Sequence, residues 1–136
     1  MTRRALFILT VPMVLAGALA GQGRADHPIG QIPAIREGLI ATGMALEISD
    51  NCDSLSPRMI RGLAYLEQLR GTARQAGYSN DEIDAFIDDR GEKARLESEA
   101  RQRLSSRGAV SGQADTYCAV GQQEMQSGSA VGQLLR

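Results

Sequence analysis

This 136-residue chain contains two cysteines, Cys52 and Cys118, and their chemical state constrains its fold more than any other pair of residues. They lie 66 positions apart (118 minus 52), so a bond between them closes a long loop. Such a bond depends on the compartment, because disulfides persist in oxidising environments and are rare in the cytosol. The N terminus, which carries the targeting information, therefore has to be considered first.

The first 20 residues have the three parts of a secretory signal peptide. Two arginines and no acid precede an uncharged run, which ends in Ala18-Leu19-Ala20, with small residues at the two positions that a signal peptidase reads. The run is about 16 residues long, short of the roughly 20 that a spanning helix needs, which argues against an uncleaved anchor. We predict a signal peptide over residues 1–20, export by the general secretory route, and no stable membrane anchor after cleavage.

In an exported chain, an even number of cysteines indicates a disulfide framework. The chain-entropy model gives a bond between Cys52 and Cys118 about 4 kcal/mol of stabilisation, against a net stability of about 5–15 kcal/mol for a domain. The alternatives are two free thiols, a redox pair or a metal site. The chain has no C-x-x-C pattern and its one histidine, His27, lies near the N terminus, so we favour the disulfide.

Once the leader is removed, 116 of the 136 residues are left, which is the size of one domain with one core. There is no tryptophan and few other aromatic residues, so the core has to be built mainly from Leu, Ile, Met and Ala. This composition favours helices over strands. We predict an all-α fold: an extended, proline-containing arm over residues 21–33, then a helical domain over residues 34–136 with a small bundle of about four helices.

The first helix is predicted from about Ala34 to Asn51, where apolar residues recur at intervals of three and four. Cys52 then falls at its C-terminal end. Glycines at Gly38 and Gly43 lie inside this helix, where each costs about 1 kcal/mol relative to alanine. We interpret both as sites where a neighbouring helix approaches closely.

The second helix is predicted to begin after Ser56 as N-cap, with Pro57 at the first helical position. It runs to about Ala76, and Gly77 ends it in a left-handed conformation onto which Tyr78 folds back. Its expected inward face consists of Met59, Ile60, Leu63, Leu66 and Leu69.

The third helix begins with a capping box in which Ser79 caps and Glu82 reaches back. It is predicted to continue to Arg107, with Gly91 as a kink or interruption, and Gly108 closes it. Its expected inward residues are Ile83, Phe86, Ile87, Leu96, Ala100 and Leu104.

The fourth helix is predicted over Thr116–Gln126, with Asp115 as N-cap and Cys118 in its first turn. Residues 130–136 follow as a short helical turn or tail. Its apolar Val131, Leu134 and Leu135 are expected to pack on the core.

None of the patterns in the sequence points to catalysis, a metal or a cofactor. There is no HExxH, no haem-attachment motif and no glycine-rich phosphate loop, and His27 is too isolated to serve a nucleophile. The acidic cluster from Asp81 to Asp89 lacks the ligand spacing of a calcium loop, and carboxylates near a helix start are favoured by the helix dipole anyway. We expect a protein that is not an enzyme and has no cofactor.

The charge balance excludes an obvious nucleic-acid partner. The chain carries 15 basic and 16 acidic residues, and loss of the two leader arginines leaves 13 against 16, a net charge of −3. This gives no electrostatic reason to expect nucleic acid or an anionic membrane as partner. A basic stripe on the second helix is interpreted as an ordinary solvated face; it consists of Arg58, Arg61, Arg70 and Arg74.

Several segments follow a recognisable pattern, and the most distinctive are Asn51-Cys52 and Tyr117-Cys118. The others are Ser56-Pro57-Arg58-Met59, Gly77-Tyr78-Ser79, Glu92-Lys93-Ala94-Arg95 and residues 129–136. Over most of residues 32–136 the chain resembles a domain-of-unknown-function family of small exported bacterial proteins. The resemblance implies a paired disulfide and location in a Gram-negative periplasm, and it implies no activity.

Two classes of function are compatible with these features. The first is a small, non-catalytic periplasmic interaction or envelope-stress protein with an unidentified protein partner. In plan it resembles the periplasmic acid-stress chaperones, which expose apolar surface when carboxylates protonate, and the cluster Asp81 to Asp89 would be the switch. The second is a small-ligand carrier or enzyme with an apolar pocket lined by Met44, Met59 or Met125. We favour the first, because methionine more often fills gaps in a core.

A mass measurement tests the leader and the disulfide together. We expect the protein recovered from the producing cell to begin after Ala20, or after Ala25, and to be two mass units lighter than its dithiol form, because bond formation removes two hydrogens. An intact Met1, or two thiols that react with an alkylating agent without prior reduction, would contradict the predicted compartment and the predicted bond.

Overall fold

The computed structural model describes residues 29–136, and this part of the chain is all-helical. A 3-10 turn over Ile29–Gln31 precedes six α-helices. These are α1 (Pro33–Asn51), α2 (Met59–Gln75), α3 (Asn80–Ile87), α4 (Arg90–Ser106), α5 (Ala114–Ser127) and α6 (Ala130–Gln133). The all-α prediction is confirmed for these residues, whereas the number of helices is larger than the predicted four.

The predicted signal peptide over residues 1–20 and His27 lie outside the described residues. The predicted extended arm over 21–33 is described only from residue 29 onwards. There the prediction of extended backbone is wrong, because Ile29–Gln31 form a 3-10 turn and Pro33 is already the first residue of α1. A proline is well tolerated at that position, since its missing N–H would have no partner within the helix.

Of the two additional helices, α6 falls in the predicted short helical turn over residues 130–136, and the other arises from a break that lies earlier than the predicted one at Gly91. The predicted third helix ends at Ile87, and α4 starts afresh three residues later with Asp89 as its N-cap. The Asp89 carboxylate accepts a hydrogen bond from the Glu92 backbone N–H at 3.0 Å, which satisfies one of the free donors of the new helix. The predicted interruption at Gly91 therefore lies inside the first turn of α4.

Helix α1 is the central element, and α2, α4, α5 and α6 all contact it. The larger of two apolar clusters packs α1 against α4, α5 and the C-terminal segment, and its fully buried side chains include Ile40, Met44, Ile48, Leu104 and Leu135. The smaller cluster lies at the other end of α1, where the 3-10 turn, α2 and α3 meet around Ile29, Ile35, Ala73 and Ile83.

Glycines bring the neighbouring helices close to α1, as predicted. A Cβ added at Gly38 would lie 2.7 Å from Leu69 Cδ2 of α2, and one added at Gly43 would lie 3.2 Å from the Ala100 Cβ of α4. Gly121 of α5 faces α1 in the same way, because an added Cβ would lie 2.8 Å from Ile48 Cγ2. The helix-propensity cost of each glycine is therefore offset by tighter packing.

The two cysteines are placed for a disulfide between the end of α1 and the second turn of α5. Their Sγ atoms lie 1.99 Å apart, and their Cα atoms 5.2 Å apart. Cys52 is fully buried and is the C-cap residue of α1. The bond therefore joins the central helix to the helix that carries the C-terminal segment.

The last residues of the chain are fixed to the start of α2. The Arg136 backbone N–H donates to the Ser56 carbonyl at 2.9 Å, and the Ser56 N–H donates back to Arg136 at the same distance. The Arg58 N–H donates to the Leu134 carbonyl at 2.8 Å. As predicted, Val131, Leu134 and Leu135 are buried in the core.

This pairing explains why the predicted start of the second helix is wrong. Ser56 and Pro57 are used in the bridge with residues 135 and 136, so α2 begins at Met59 with Arg58 as its N-cap residue. The predicted N-cap of the fourth helix is wrong as well. Helix α5 begins at Ala114, with Gln113 at the N-cap position, and Asp115 lies in the first turn.

Other local predictions are confirmed. Ser79 and Glu82 form a capping box, and Gly77 and Gly108 have positive φ at the ends of α2 and α4. In α4 the predicted narrow stripe is present, with Ala100 and Leu104 buried. Among residues 29–136, no helix is both long and apolar enough to cross a membrane.

Two glycine-to-alanine substitutions provide a test of this packing. A Cβ at Gly132 of α6 would lie 2.0 Å from the Glu124 backbone oxygen, which cannot move without distorting α5. We expect Gly132→Ala to lower the free energy of unfolding by at least about 2 kcal/mol. Gly71→Ala in α2, where nothing lies within 4 Å, should raise it by about 0.5–1 kcal/mol. Urea unfolding monitored by circular dichroism measures both, and an equal effect of the two would contradict the close packing of α6 on α5.

Candidate functional site: an apolar groove above α1

A groove of about 380 Å³ lies on the side of α1 that faces away from the larger apolar cluster. Its floor is a stripe of α1 residues spaced by three and four, so they share one face of the helix. The stripe runs from Ile35 to Leu46, which is 11 residue steps, or roughly 16 Å of helix. The residues of the floor are Ile35, Leu39, Thr42, Gly43 and Leu46.

Helices α2 and α4 form the two walls of the groove. Only a short connection joins α1 to α2, so α2 runs antiparallel to α1 and begins near its C-terminal end. Glu92 at the start of α4 is close to Gly30, and Arg101 near its end is close to Glu47, so α4 runs parallel to α1. Both helices pack chiefly on α1, which leaves a gap between them. The wall residues are Leu66, Leu69, Arg70, Ala73, Glu92, Lys93, Leu96 and Glu97.

One end of the groove is closed and the other is open. At the N-terminal end of α1, the 3-10 turn and α3 close it with Ile29, Ile83, Phe86 and Ile87. At the opposite end the floor finishes at Leu46, whose side chain is 45% exposed. Ile87, which the sequence analysis expected to be inward, is 51% exposed on the rim. A ligand therefore has access from the side and from the Leu46 end.

The charged groups of the groove lie on its walls and are mostly engaged by neighbours. Arg70 donates to Asp84 at 2.8 Å. Glu92 accepts two hydrogen bonds from Arg95, at 2.8 and 2.7 Å, and these hold the pKa of Glu92 below its ordinary value. Glu92 is therefore ionised at neutral pH and unsuited to act as a general acid. Lys93 has a looser partner, since its Nζ lies 3.9 Å from Glu97.

A network of ion pairs holds the α4 wall against α1. Arg103 of α4 donates to both carboxylate oxygens of Glu37, at 2.5 and 2.8 Å, and to Glu99 at 2.9 Å. Arg36 of α1 completes the network with a hydrogen bond to Glu99. The Arg103 guanidinium lowers the pKa of Glu37, and the two carboxylates raise the pKa of Arg103. We call these four residues the α1–α4 clamp.

The first two turns of α2 carry the largest departure from the predicted core. Met59, Ile60 and Leu63 were expected to face inward, but their side chains are 63%, 87% and 64% exposed. The inner side of α2 instead follows Tyr65, Leu69 and Ala73, which lie four residues apart. Tyr65 and Leu69 meet α1 at Gly38, and Ala73 belongs to the smaller cluster with Ile35. The predicted inward face combined residues from two flanks of the helix, and only Leu69 of that set is buried.

The methionines expected to line a pocket do not line this groove. Met44 is fully buried in the larger cluster, Met59 is exposed, and Met125 is 37% exposed on α5. The groove was not predicted, because the apolar spacing of the first helix, to which Ile35, Leu39 and Leu46 contribute, indicates a helix without showing which residues face a groove. One signal was available: α1 has apolar residues on more than one side, which a helix with a single buried face does not need.

The acidic residues between Asp81 and Asp89 have several separate structural roles. Asp84 pairs with Arg70, Asp89 caps α4, and Glu82 accepts a hydrogen bond from the Ser79 N–H at 2.7 Å. Within residues 29–136, no group of three or more His, Cys, Asp or Glu side chains is arranged to hold a metal ion.

The fold and the groove together define a small helical protein with a mainly apolar concavity, a few polar lining groups and a pair of cysteines at bonding distance. A family of unknown function (DUF5333) matches residues 27–136. The chain belongs to this family, which agrees with the resemblance noted in the sequence, and the match carries no information on location or activity. No curated protein and no solved structure matches the chain.

The α1–α4 clamp should make the stability of the fold depend on pH in acid. Because Arg103 holds the pKa of Glu37 below its ordinary 4.5, ionised Glu37 stabilises the fold at neutral pH, and that contribution is lost as the pH falls through the lowered value. We expect Glu37→Gln to destabilise the protein at pH 7 by up to about 1 kcal/mol, as for exposed ion pairs, and by less at pH 3. Urea midpoints at the two pH values measure this difference. Glu97→Gln serves as the control, because the partner of Glu97, Lys93, is more distant. A loss of stability by Glu37→Gln that is as large at pH 3 as at pH 7 would contradict the role of the clamp.

Proposed function

We propose that this chain is an exported, non-catalytic binding protein of the periplasm that takes the apolar part of a ligand into the groove above α1. The observation that carries the proposal is the groove itself: about 380 Å³, open on one side and lined mainly by aliphatic and aromatic side chains. Sites for small apolar ligands usually have volumes of about 300–1,000 Å³ and few polar groups.

The location in this proposal rests on the sequence. The basic start, the uncharged run and the Ala18-Leu19-Ala20 exit favour export, and the position of Cys52 and Cys118 at bonding distance is what an oxidising compartment would stabilise. An oxidising compartment and a cleaved leader are consistent with a periplasmic binding protein.

The polar groups of the groove support a binding role over an enzymatic one. They are Thr42, Arg70, Glu92, Lys93 and Glu97, which include no histidine, cysteine or serine. Nucleophilic and acid–base mechanisms need a nucleophile beside a base, or a proton donor whose pKa lies near the working pH. Glu92, with its lowered pKa, does not meet the second requirement.

We further propose that this binding protein acts in the response of the cell envelope to acid stress. The clamp holds the α4 wall, and protonation of Glu37 weakens it, so acid would loosen one side of the groove. This assigns the acid response to Glu37 on α1, whereas the sequence analysis placed it in the cluster from Asp81 to Asp89. Loosening would increase the apolar surface that is offered to a partner.

Binding of an environment-sensitive naphthalene dye tests the groove. We expect the protein, as recovered from the envelope, to bind the dye with a blue-shifted emission at pH 7. Leu46→Gln and Ile87→Gln, both on the rim, should weaken binding several-fold because each places a polar group where the dye contacts the wall.

Val110→Gln is the matched control, since Val110 has the same 45% exposure as Leu46 but lies outside the groove. Ile60→Gln is a second control for dye adsorbed on the exposed side of α2. Equal dye binding by the parent protein and both rim variants would refute the proposed function.

A further inference from the structure

The arginines of α2 fall into two groups that the sequence does not distinguish. Arg74 donates to Glu67 at 2.6 Å and Arg70 donates to Asp84 of α3 at 2.8 Å. The arginine charges in the second half of α2 are therefore neutralised by neighbouring carboxylates. Arg58 and Arg61, in the first half, form no ion pair with any residue between 29 and 136. Their positive charge is therefore directed to solvent.

A third arginine lies beside these two. Arg136 pairs through its backbone with Ser56, two residues before Arg58, and it too has no ion-pair partner among the described residues. Among the nearest acids in sequence, Glu67 pairs with Arg70 and Arg74, and Asp50 and Asp53 form no ion pair with these arginines. The start of α2 thus carries three arginines that have no ion-pair partner among the described residues, on a chain whose net charge is negative.

The same site carries the most exposed large apolar side chains of the described residues. Ile60 is 87% exposed, and Met59 and Leu63 are more than 60% exposed. Leu63 is four residues after Met59 on one side of the helix, and Ile60 extends furthest from the surface. We call residues 58–63 together with Arg136 the α2 apex.

We propose that the α2 apex docks the protein on an anionic lipid surface, such as a bilayer that contains phosphatidylglycerol. Met59, Ile60 and Leu63 would enter the boundary between headgroups and acyl chains, while Arg58, Arg61 and Arg136 bind lipid phosphates. Exposed apolar residues beside arginines are the features that bind a helix to a membrane interface. Contact is peripheral, because three side chains at a helix start cannot span a bilayer.

The exposure of the apolar side chains favours a lipid surface over a protein. Met59, Ile60 and Leu63 are each more than 60% exposed, and a protein partner would need a matching pocket for them. A fluid headgroup layer can surround such side chains without shape complementarity. The long side chains of the arginines can reach lipid phosphates from the flanks of the helix, and each basic residue near an anionic surface adds to binding.

This inference is independent of the groove, although the two surfaces are neighbours. Met59, Leu63, Leu66 and Arg70 lie on one flank of α2, and the last two of these line the groove wall. The apex is therefore at the open end of the groove. Vesicle binding tests the apex and dye uptake tests the groove, so either can fail while the other holds.

Sedimentation with vesicles tests the proposal directly. The protein recovered from the envelope, its N terminus established by mass, is mixed with vesicles of phosphatidylglycerol or of phosphatidylcholine. We expect binding to the anionic vesicles to be at least tenfold stronger. Ile60→Gln should reduce binding to the anionic vesicles about tenfold, because it removes the most exposed apolar side chain. Val110→Gln, which alters an exposed apolar residue away from the apex, should bind like the parent.

The charge contribution is tested by Arg58→Gln and Arg61→Gln in one variant. We expect it to lose most of the preference for anionic vesicles and most of the dependence on salt, since screening weakens charge interactions. Arg90→Gln, at the start of α4, is the control, and all variants should keep the parent's circular dichroism because the altered side chains are exposed. Absence of vesicle binding, or equal binding by Ile60→Gln and the parent, would overturn the proposal and leave the apex to a protein partner.

Discussion

The burial of α1 is the constraint on which the rest of the structure depends. This helix has apolar residues around most of its circumference, and no single neighbour can cover them. Helices α4, α5 and α6 cover the side that contains Ile40, Met44 and Ile48. Helix α2 covers the side at Gly38, and the side between α2 and α4 is left as the groove. The groove and the larger apolar cluster therefore lie on two sides of the same helix.

Three kinds of contact hold the other helices to α1: close packing at glycines, a disulfide and ion pairs. Glycines at 38 and 43 bring α2 and α4 near it, Gly121 does the same for α5, and Cys52 joins its end to Cys118. The clamp from Glu37 to Arg103 adds a contact at the surface that depends on charge. Packing and the disulfide do not titrate, whereas the clamp weakens as the pH falls through the lowered pKa of Glu37. The clamp is therefore the contact of the α4 wall that depends on pH.

The two proposed surfaces have different physical characters. The groove is concave and its charges are largely neutralised by partners, which suits a ligand recognised by its apolar part. The α2 apex exposes its apolar side chains, and its arginines form no ion pair with the described residues, which suits an anionic lipid interface. Their common location on one flank of α2 means that a protein docked at the apex would present the open end of its groove to the membrane.

Local features of the fold were predictable because they depend on residues close in sequence. The capping box at Ser79, the left-handed ends at Gly77 and Gly108, and the extent of α1 follow from nearest-neighbour hydrogen bonding and backbone sterics. The pairing of the two cysteines was also predictable, since two residues allow one intramolecular bond.

Tertiary contacts decided what local signals could not. The start of α2 was displaced from Ser56 to Arg58 because residues 134–136, distant in sequence, take the backbone groups of residues 56–58. Met59, Ile60 and Leu63 are exposed because α2 meets α1 further along, at Gly38. Apolar spacing alone assigns residues to a face of a helix without showing whether another helix covers that face. The sequence by itself determined the helical class, the locally encoded helix ends such as those at Ser79, Gly77 and Gly108, and the cysteine pair. The packing around α1 decided where α2 begins and which apolar residues became core, groove and exposed surface.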